Sequence, residues 1–164
     1  MSADTSAEAT STVEGRMAAA GFRVPEVATP VADYVPALLQ GAQVWTSGQL
    51  PMQSGKLAAT GKVGTEVSPE QATELARICC LNAIAAVKAE IGDLDRVVRV
   101  LKLTGYVASA PDFTGQPAVL NGASSLLGLA FGEAGRHARS AVGVAVLPLD
   151  APVEVDLVVE VAAP

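Results

Sequence analysis

The chain has 164 residues, half of them hydrophobic and 17% charged, enough for one domain with one sizeable core and too apolar for disorder to be its main state. Eleven Lys and Arg against 17 Asp and Glu leave a formal net charge of −6, a field that repels phosphate backbones and argues against nucleic acid as a partner. The apolar content comes as Ala and Val in short runs broken by Gly, Pro or charge, far from the roughly 18 unbroken apolar residues of a membrane span, so no membrane partner is expected.

Residues 1–10 are small, polar and acidic and are expected to stay disordered. Ser11 followed by Glu14 gives a capping-box signal, and Val13, Met17 and Ala20 recur at helical spacing until Gly21, which predicts a short helix over Thr12 to Ala20. Pro25, Pro30 and Pro36 then mark an extended connector, completing a first unit over residues 11–33 ahead of the main domain at 34–164. Tyr34 to Gln40 and Gln43 to Gln49, joined by Gly41-Ala42, read as a hairpin, and Met52-Gln53-Ser54-Gly55-Lys56 as a Gly-containing loop.

Ser68, Pro69 and Gln71 open a long helix that Gly92 ends, with Ala72, Leu75, Cys79, Ala83, Ala86 and Val87 on its apolar face. Val97 to Tyr106 is a β-branched strand. A second helix follows at roughly Gln116 to Glu133, where Gly122 and Gly128 cost helix propensity and permit close packing. From Ala138 to Val146 the even positions share one face, leaving Arg139 with the small residues Ala141, Gly143 and Ala145 and open space before its guanidinium. From Val153 to Val161 the odd positions are apolar, and Glu154, Asp156 and Glu160 point the other way. Strands, helix, strand, helix and two strands make an α+β domain with its helices on one sheet face.

The inventory narrows the chemistry. Adjacent Cys79 and Cys80 fit neither an ordinary disulfide nor a zinc pattern and read as core fillers; His137 is the only histidine; no GxSxG elbow or phosphate-cradling Gly-rich loop occurs. The N-terminus shows no basic region followed by an apolar stretch, so a cytoplasmic protein is expected. Arg139 is the leading candidate, since its planar fork matches a carboxylate bidentately; the plainer reading is a surface arginine paired with an acidic neighbour. Glu154 either exchanges protons or belongs to a solvated acidic face. Tyr34 and Ser47 offer hydroxyls and Asn121 an amide, each equally readable as an ordinary surface or strand-end residue, and His137 is read as a solvent-facing loop residue without a role.

Tyr34-Val35-Pro36, Thr46-Ser47-Gly48-Gln49-Leu50-Pro51, Ala138-Arg139-Ser140-Ala141, and Leu147-Pro148 through Val153-Glu154-Val155-Asp156 carry a likeness in order and spacing. The chain resembles the Rid family (RidA/YjgF, reactive intermediate deaminase, also called the endoribonuclease L-PSP family) over roughly residues 30 to 162. The N-terminal extension and Val119-Leu120-Asn121-Gly122-Ala123-Ser124 resemble its longer, chorismate-mutase-like subgroup. The resemblance implies a single mixed β-sheet with two helices packed on one face, assembled as a homotrimeric barrel with clefts between neighbours. It implies that Arg139 holds a substrate carboxylate, that Glu154 contacts water or substrate, and that Tyr34, Ser47, Gly48 and Asn121 bind substrate.

The implied reaction is hydrolysis of a 2-imino or 2-enamino acid to ammonia and a 2-oxo acid, with a small carboxylate-bearing metabolite as the partner and no cofactor or metal. Ala141 stands where many members have cysteine, so no thiol step is available there. The alternative is a small-molecule binding or sensing module that captures a 2-oxo or amino acid without turnover. An endoribonuclease follows only from the family's other name, against the negative charge and 4% aromatic content. If the last two strands form an antiparallel hairpin, Arg139 and Glu154 lie roughly 20 Å apart at about 3.3 Å per residue, so a shared site draws them from different protomers.

Overall fold

A computed structural model describes residues 11–27, 30 and 32–163; the N-terminal ten residues expected to be disordered, and part of the connector, fall outside them. α1 spans Val13–Ala19, and its N-cap is Thr12 in place of the predicted Ser11, with Thr12 Oγ1 accepting from the Gly15 amide at 3.0 Å. Its buried Val13 and Met17 join the core, and Arg16 donates to the Ala130 carbonyl from Nε and Nη2 at 3.0 and 2.8 Å. The extension is thereby fastened to the domain.

β1 (Ala37–Gln40) and β2 (Gln43–Thr46) form the predicted hairpin, shorter at both outer ends because Ser47 and Pro36 pair across it at 2.8 Å as a single closing bond. The predicted loop that follows is a two-stranded ribbon, β3 (Met52–Gln53) and β4 (Lys56–Leu57), around a Ser54-Gly55 turn with both residues at positive φ. That is the backbone a two-residue hairpin needs.

α2 (Pro69–Ile91) starts and stops where the sequence places it: Ser68 Oγ accepts from the Gln71 amide at 3.1 Å, and Gly92 at φ 83° closes the last turn. Its predicted apolar face is buried, as are both cysteines, whose thiols burial pushes up. β5 (Val97–Ala108) is two residues longer than predicted. α3 (Gln116–Phe131) ends two residues short of the predicted Glu133, and a 3-10 turn over Gly132–Gly135 leads into β6 (Ala138–Val144). β7 covers Val153–Val161 as predicted.

The main sheet is mixed and five-stranded in the order β1-β2-β7-β5-β6, with β5 and β6 parallel and the other neighbours antiparallel. The last two strands are therefore not a hairpin. β5, α3 and β6 form a crossover unit that demands parallel strands, and β7 then occupies the other edge of β5. The connection turns at Leu149 and Asp150, both near φ 60°, and Lys62 pairs with Asp150 at 2.7 Å. α2 and α3 cover one face, where Leu103, Val107, Val155 and Leu157 meet Leu120 and Cys79 in the core. The other face is open: Leu38, Trp45 and Val142 are more than two-fifths exposed. No helix among the described residues is long and apolar enough to cross a membrane.

Candidate functional site

Strand alternation decides which residues meet. Arg139 sits opposite Leu103, and Leu103 opposite Leu157, all three on the helix side of the sheet. α3 lies over that side with Pro117, Asn121 and Ser124 at i, i+4 and i+7, one face of the helix. The guanidinium lies against them: Nη1 donates to Asn121 Oδ1 at 2.8 Å and to Ser124 Oγ at 3.2 Å, and Nη2 to the Pro117 carbonyl at 3.2 Å. The space expected in front of Arg139 is thus partly filled by these acceptors. All three are neutral.

The ion pairs among the described residues join Lys62 to Asp150, Arg77 to Glu74, Lys88 to Glu14 and Arg136 to Glu133; Arg139 takes part in none. Its Nε–H and one Nη2 N–H find no acceptor among the described residues. A cation held by neutral groups with two donors left over is equipped for one carboxylate.

His137 belongs to this cluster, contrary to its reading as a solvent-facing residue. It is two positions before Arg139 and shares its side of the strand. Nδ1 lies 2.6 Å from the Gly135 carbonyl and Nε2 2.9 Å from Ser124 Oγ. A carbonyl can only accept, so Nδ1 carries the proton; in the neutral ring Nε2 accepts, and Ser124 donates to it. The two spacings that place Ser124 and His137 beside Arg139 are visible in the sequence.

Glu154 sits opposite Tyr106 on the open face, with Asp156 two positions on. Burial first and Asp156 second push its carboxyl up; Asp156 is also raised by burial, against hydrogen bonds from Tyr106 and Thr104 and the nearby Lys102 charge. A Cβ built on Gly48 would come within 1.8 Å of Glu154 Oε1, so glycine there is what lets the carboxyl fold back over the end of β2. Ser47 Oγ donates to the Val35 carbonyl at 2.6 Å and pins the segment bearing the exposed Tyr34.

The sequence-predicted residues therefore fall into two groups. Arg139 and Asn121 meet on the helix side; Gly48 and Glu154 lie against each other at the end of β2, with Ser47 adjoining Gly48 and bonded to Val35, the residue after Tyr34. The observed register replaces the hairpin estimate of 20 Å with roughly 14 Å between Arg139 and Glu154, from three residues of rise and two strand spacings, and puts their side chains on opposite faces. Within one chain they cannot share a small ligand. A cavity of about 870 Å³ between Arg23, Pro25, Glu26, Val27 and Pro30 of the connector, the Ser54-Gly55 turn and α2 contains none of them; there Asn82 Nδ2 donates to the Leu50 and Met52 carbonyls, each at 3.0 Å.

The profile of the family described as "YjgF/chorismate_mutase-like, putative endoribonuclease" matches residues 14–161. The chain belongs to this family. Protein TCP17 of Trypanosoma cruzi is 46% identical over 151 residues, 89% of this chain and 94% of its own. Atu1372 of Agrobacterium tumefaciens, solved with its function unknown, is 46% identical at TM-score 0.87, over 95% of this chain and 97% of its own. A Shewanella oneidensis protein solved under the same provisional endoribonuclease name is 38% identical at TM-score 0.89, over 92% and 99%. TdcF of E. coli, solved with bound serine, is 23% identical at TM-score 0.62, over 84% and 94%, a likeness of fold.

Proposed function

We propose that this YjgF-family protein hydrolyses imines or enamines of small 2-amino acids in clefts between the protomers of a homotrimer, with Arg139 anchoring the substrate carboxylate. One observation carries the reading: Arg139 is held by three neutral acceptors, pairs with no carboxylate among the described residues and keeps two N–H donors for an anion. A guanidinium left this way favours an anionic ligand strongly enough to orient it, and orientation with charge stabilisation is most of what an imine that hydrolyses unaided requires. TdcF, which shares the fold, has bound serine, itself a small carboxylate.

Glu154 reaches the same ligand only from a neighbouring protomer, since its own chain sets it on the other face. The exposed Leu38, Trp45 and Val142 on that face supply the contact surface such an assembly buries. A carboxyl raised by burial suits a group that keeps its proton and donates a hydrogen bond to the bound substrate in that cleft. A second reading, capture of a 2-oxo or amino acid without turnover, is favoured by Ala141, which puts only a methyl group two residues beyond the arginine.

The deciding experiment measures ammonia and 2-oxo acid release from imines generated in place by an amino acid oxidase. Wild type is expected to accelerate release and Arg139→Ala to lose about a hundredfold or more in kcat/KM. Equal rates remove the deaminase. A 2-oxo acid that raises the Tm of wild type and not of Arg139→Ala, with neither protein turning over imines, establishes the binding module instead.

A further inference from the structure

Resting on that reading, we propose that Ser124 and His137 are the proton-handling pair of the Arg139 site, Ser124 as the catalytic hydroxyl and His137 as the base acting through it. Three observations combine. Ser124 Oγ lies 2.9 Å from His137 Nε2, within the reach a hydroxyl and its base require. The Gly135 carbonyl, 2.6 Å from Nδ1, fixes the tautomer so that Nε2 of the neutral ring faces the hydroxyl with its lone pair. Arg139 Nη1 donates to the same Ser124 oxygen at 3.2 Å, which ties the hydroxyl to the guanidinium that holds the substrate and stabilises negative charge as the proton leaves. Hydroxyl, base and orienting group form one chain ending at the anion anchor.

The cluster is placed to be reached. β6 is an edge strand, and Ser124, His137 and Arg139 are each partly exposed. Serine accepts from Arg139 and donates to His137, so one oxygen lone pair remains to receive a proton from a water molecule. No other histidine exists in the chain to serve as base.

With the substrate entering as its iminium, the step balances as follows. Water forms a C–O bond to the iminium carbon while the C=N π pair moves to nitrogen; a water proton passes to Ser124 Oγ as the serine proton passes to His137 Nε2. The product is a neutral carbinolamine beside protonated His137. In the second half His137 returns its proton through Ser124 to the amine nitrogen, the C–N bond breaks with its electron pair going to ammonia, and the hydroxyl proton leaves to solvent as the 2-oxo acid forms. Only solvent water is consumed.

The test uses full-length protein in the oxidase-coupled assay, with the Tm shift on adding a 2-oxo acid measured in parallel. Ser124→Ala and His137→Ala are expected to lower kcat about a hundredfold while keeping the Tm shift, which reports Arg139 alone. Imidazole added to His137→Ala is expected to restore turnover in proportion to its concentration, and His137→Gln, which hydrogen-bonds without titrating, to stay slow. An active wild type matched by both alanine variants overturns the pair and leaves the deaminase standing. Loss of the Tm shift together with activity, unrescued by imidazole, makes His137 a structural clamp and also overturns it. A wild type that accelerates nothing removes the deaminase and the pair's role with it.

Discussion

Glu154 and Asp156 stand two apart on one face of β7, and the fold sets the proton affinity of both. Each carboxyl is raised by burial, and Glu154 is raised further by Asp156. A carboxyl raised in the folded state contributes stability that is fully present below its unfolded value and is lost as pH climbs through the folded value. The pair is therefore a cost to the folded chain at neutral and alkaline pH. Asp156→Asn removes one charge, relieves the other and keeps an oxygen for the Tyr106 hydroxyl, which donates to Asp156 at 3.3 Å. The variant is expected to melt above wild type at pH 8, with the gap closing as pH falls to about 4. A gap independent of pH in parallel melts refutes this.

Glu66 has the opposite sign. It accepts from the Thr65 hydroxyl and from the Lys62 amide at 2.9 Å, and these bonds hold its carboxyl down to about 2. Its contribution is present above the ordinary carboxylate range and fades as pH falls through that range toward 2. In Glu66→Gln the acid limb of the stability curve should become shallower between pH 5 and about 2, a change readable from denaturant midpoints.

Among the elements, α2 and α3 show how closely the layers are set. A Cβ on Gly122 would lie 2.0 Å from the Thr73 carbonyl, backbone that cannot swing aside, and one on Gly105 would lie 1.7 Å from Leu120 Cδ1. The glycines read as packing devices in the sequence divide accordingly. Gly122 is one; Gly128, with nothing within 4 Å, is not. Gly122→Ala is expected to cost about 1 to 3 kcal/mol as α3 is pushed off α2, and Gly128→Ala to cost nothing or to stabilise by up to about 1 kcal/mol through helix propensity. Urea unfolding of the two variants side by side checks both, and equal effects would show that the helices can slide apart cheaply.

What the sequence discloses follows the range of the interaction. The caps of α2, Ser68 and Gly92, and the alternation of β7 are local patterns that stand in the structure where the residues place them; β6 starts at the predicted Ala138 and ends at Val144, two residues before the predicted Val146. Pairing is not local. The proline-rich turn before β7 imitates a hairpin loop, whereas the helix between β5 and β6 already requires those strands to be parallel and leaves β7 to cross over. Arg139 and Asn121 are legible as a pair through the family's motifs. Ser124 and His137 are legible only once the helical spacing from Pro117 and the strand parity with Arg139 are combined, a step that needs α3 to lie over β6.

For the molecule as a whole, the decisive question is what covers the open face. Leu38 and Trp45 lie opposite each other across the β1–β2 pair, both more than half exposed, with Val158 beside Trp45 on β7 and the acidic pair farther along that strand. An assembly that covered this face would bury that indole. If the proposed trimer forms there, a carboxylate introduced at its centre meets a desolvated surface that already holds Glu154 and Asp156. Trp45→Glu is expected to weaken association by about 2 kcal/mol or more, roughly thirtyfold for each interface. Light scattering across a dilution series should then show monomers of the variant at concentrations where wild type remains trimeric.

Activity sharpens the experiment, because Arg139 and Glu154 lie on opposite faces of one chain. Monomeric Trp45→Glu should lose imine hydrolysis while its circular dichroism stays that of wild type. Mixing Arg139→Ala with Glu154→Gln should recover part of the rate, since a mixed assembly rebuilds some clefts with both residues intact. No recovery despite subunit exchange, or full activity in a monomer, would place the site within one protomer and rule out the shared cleft.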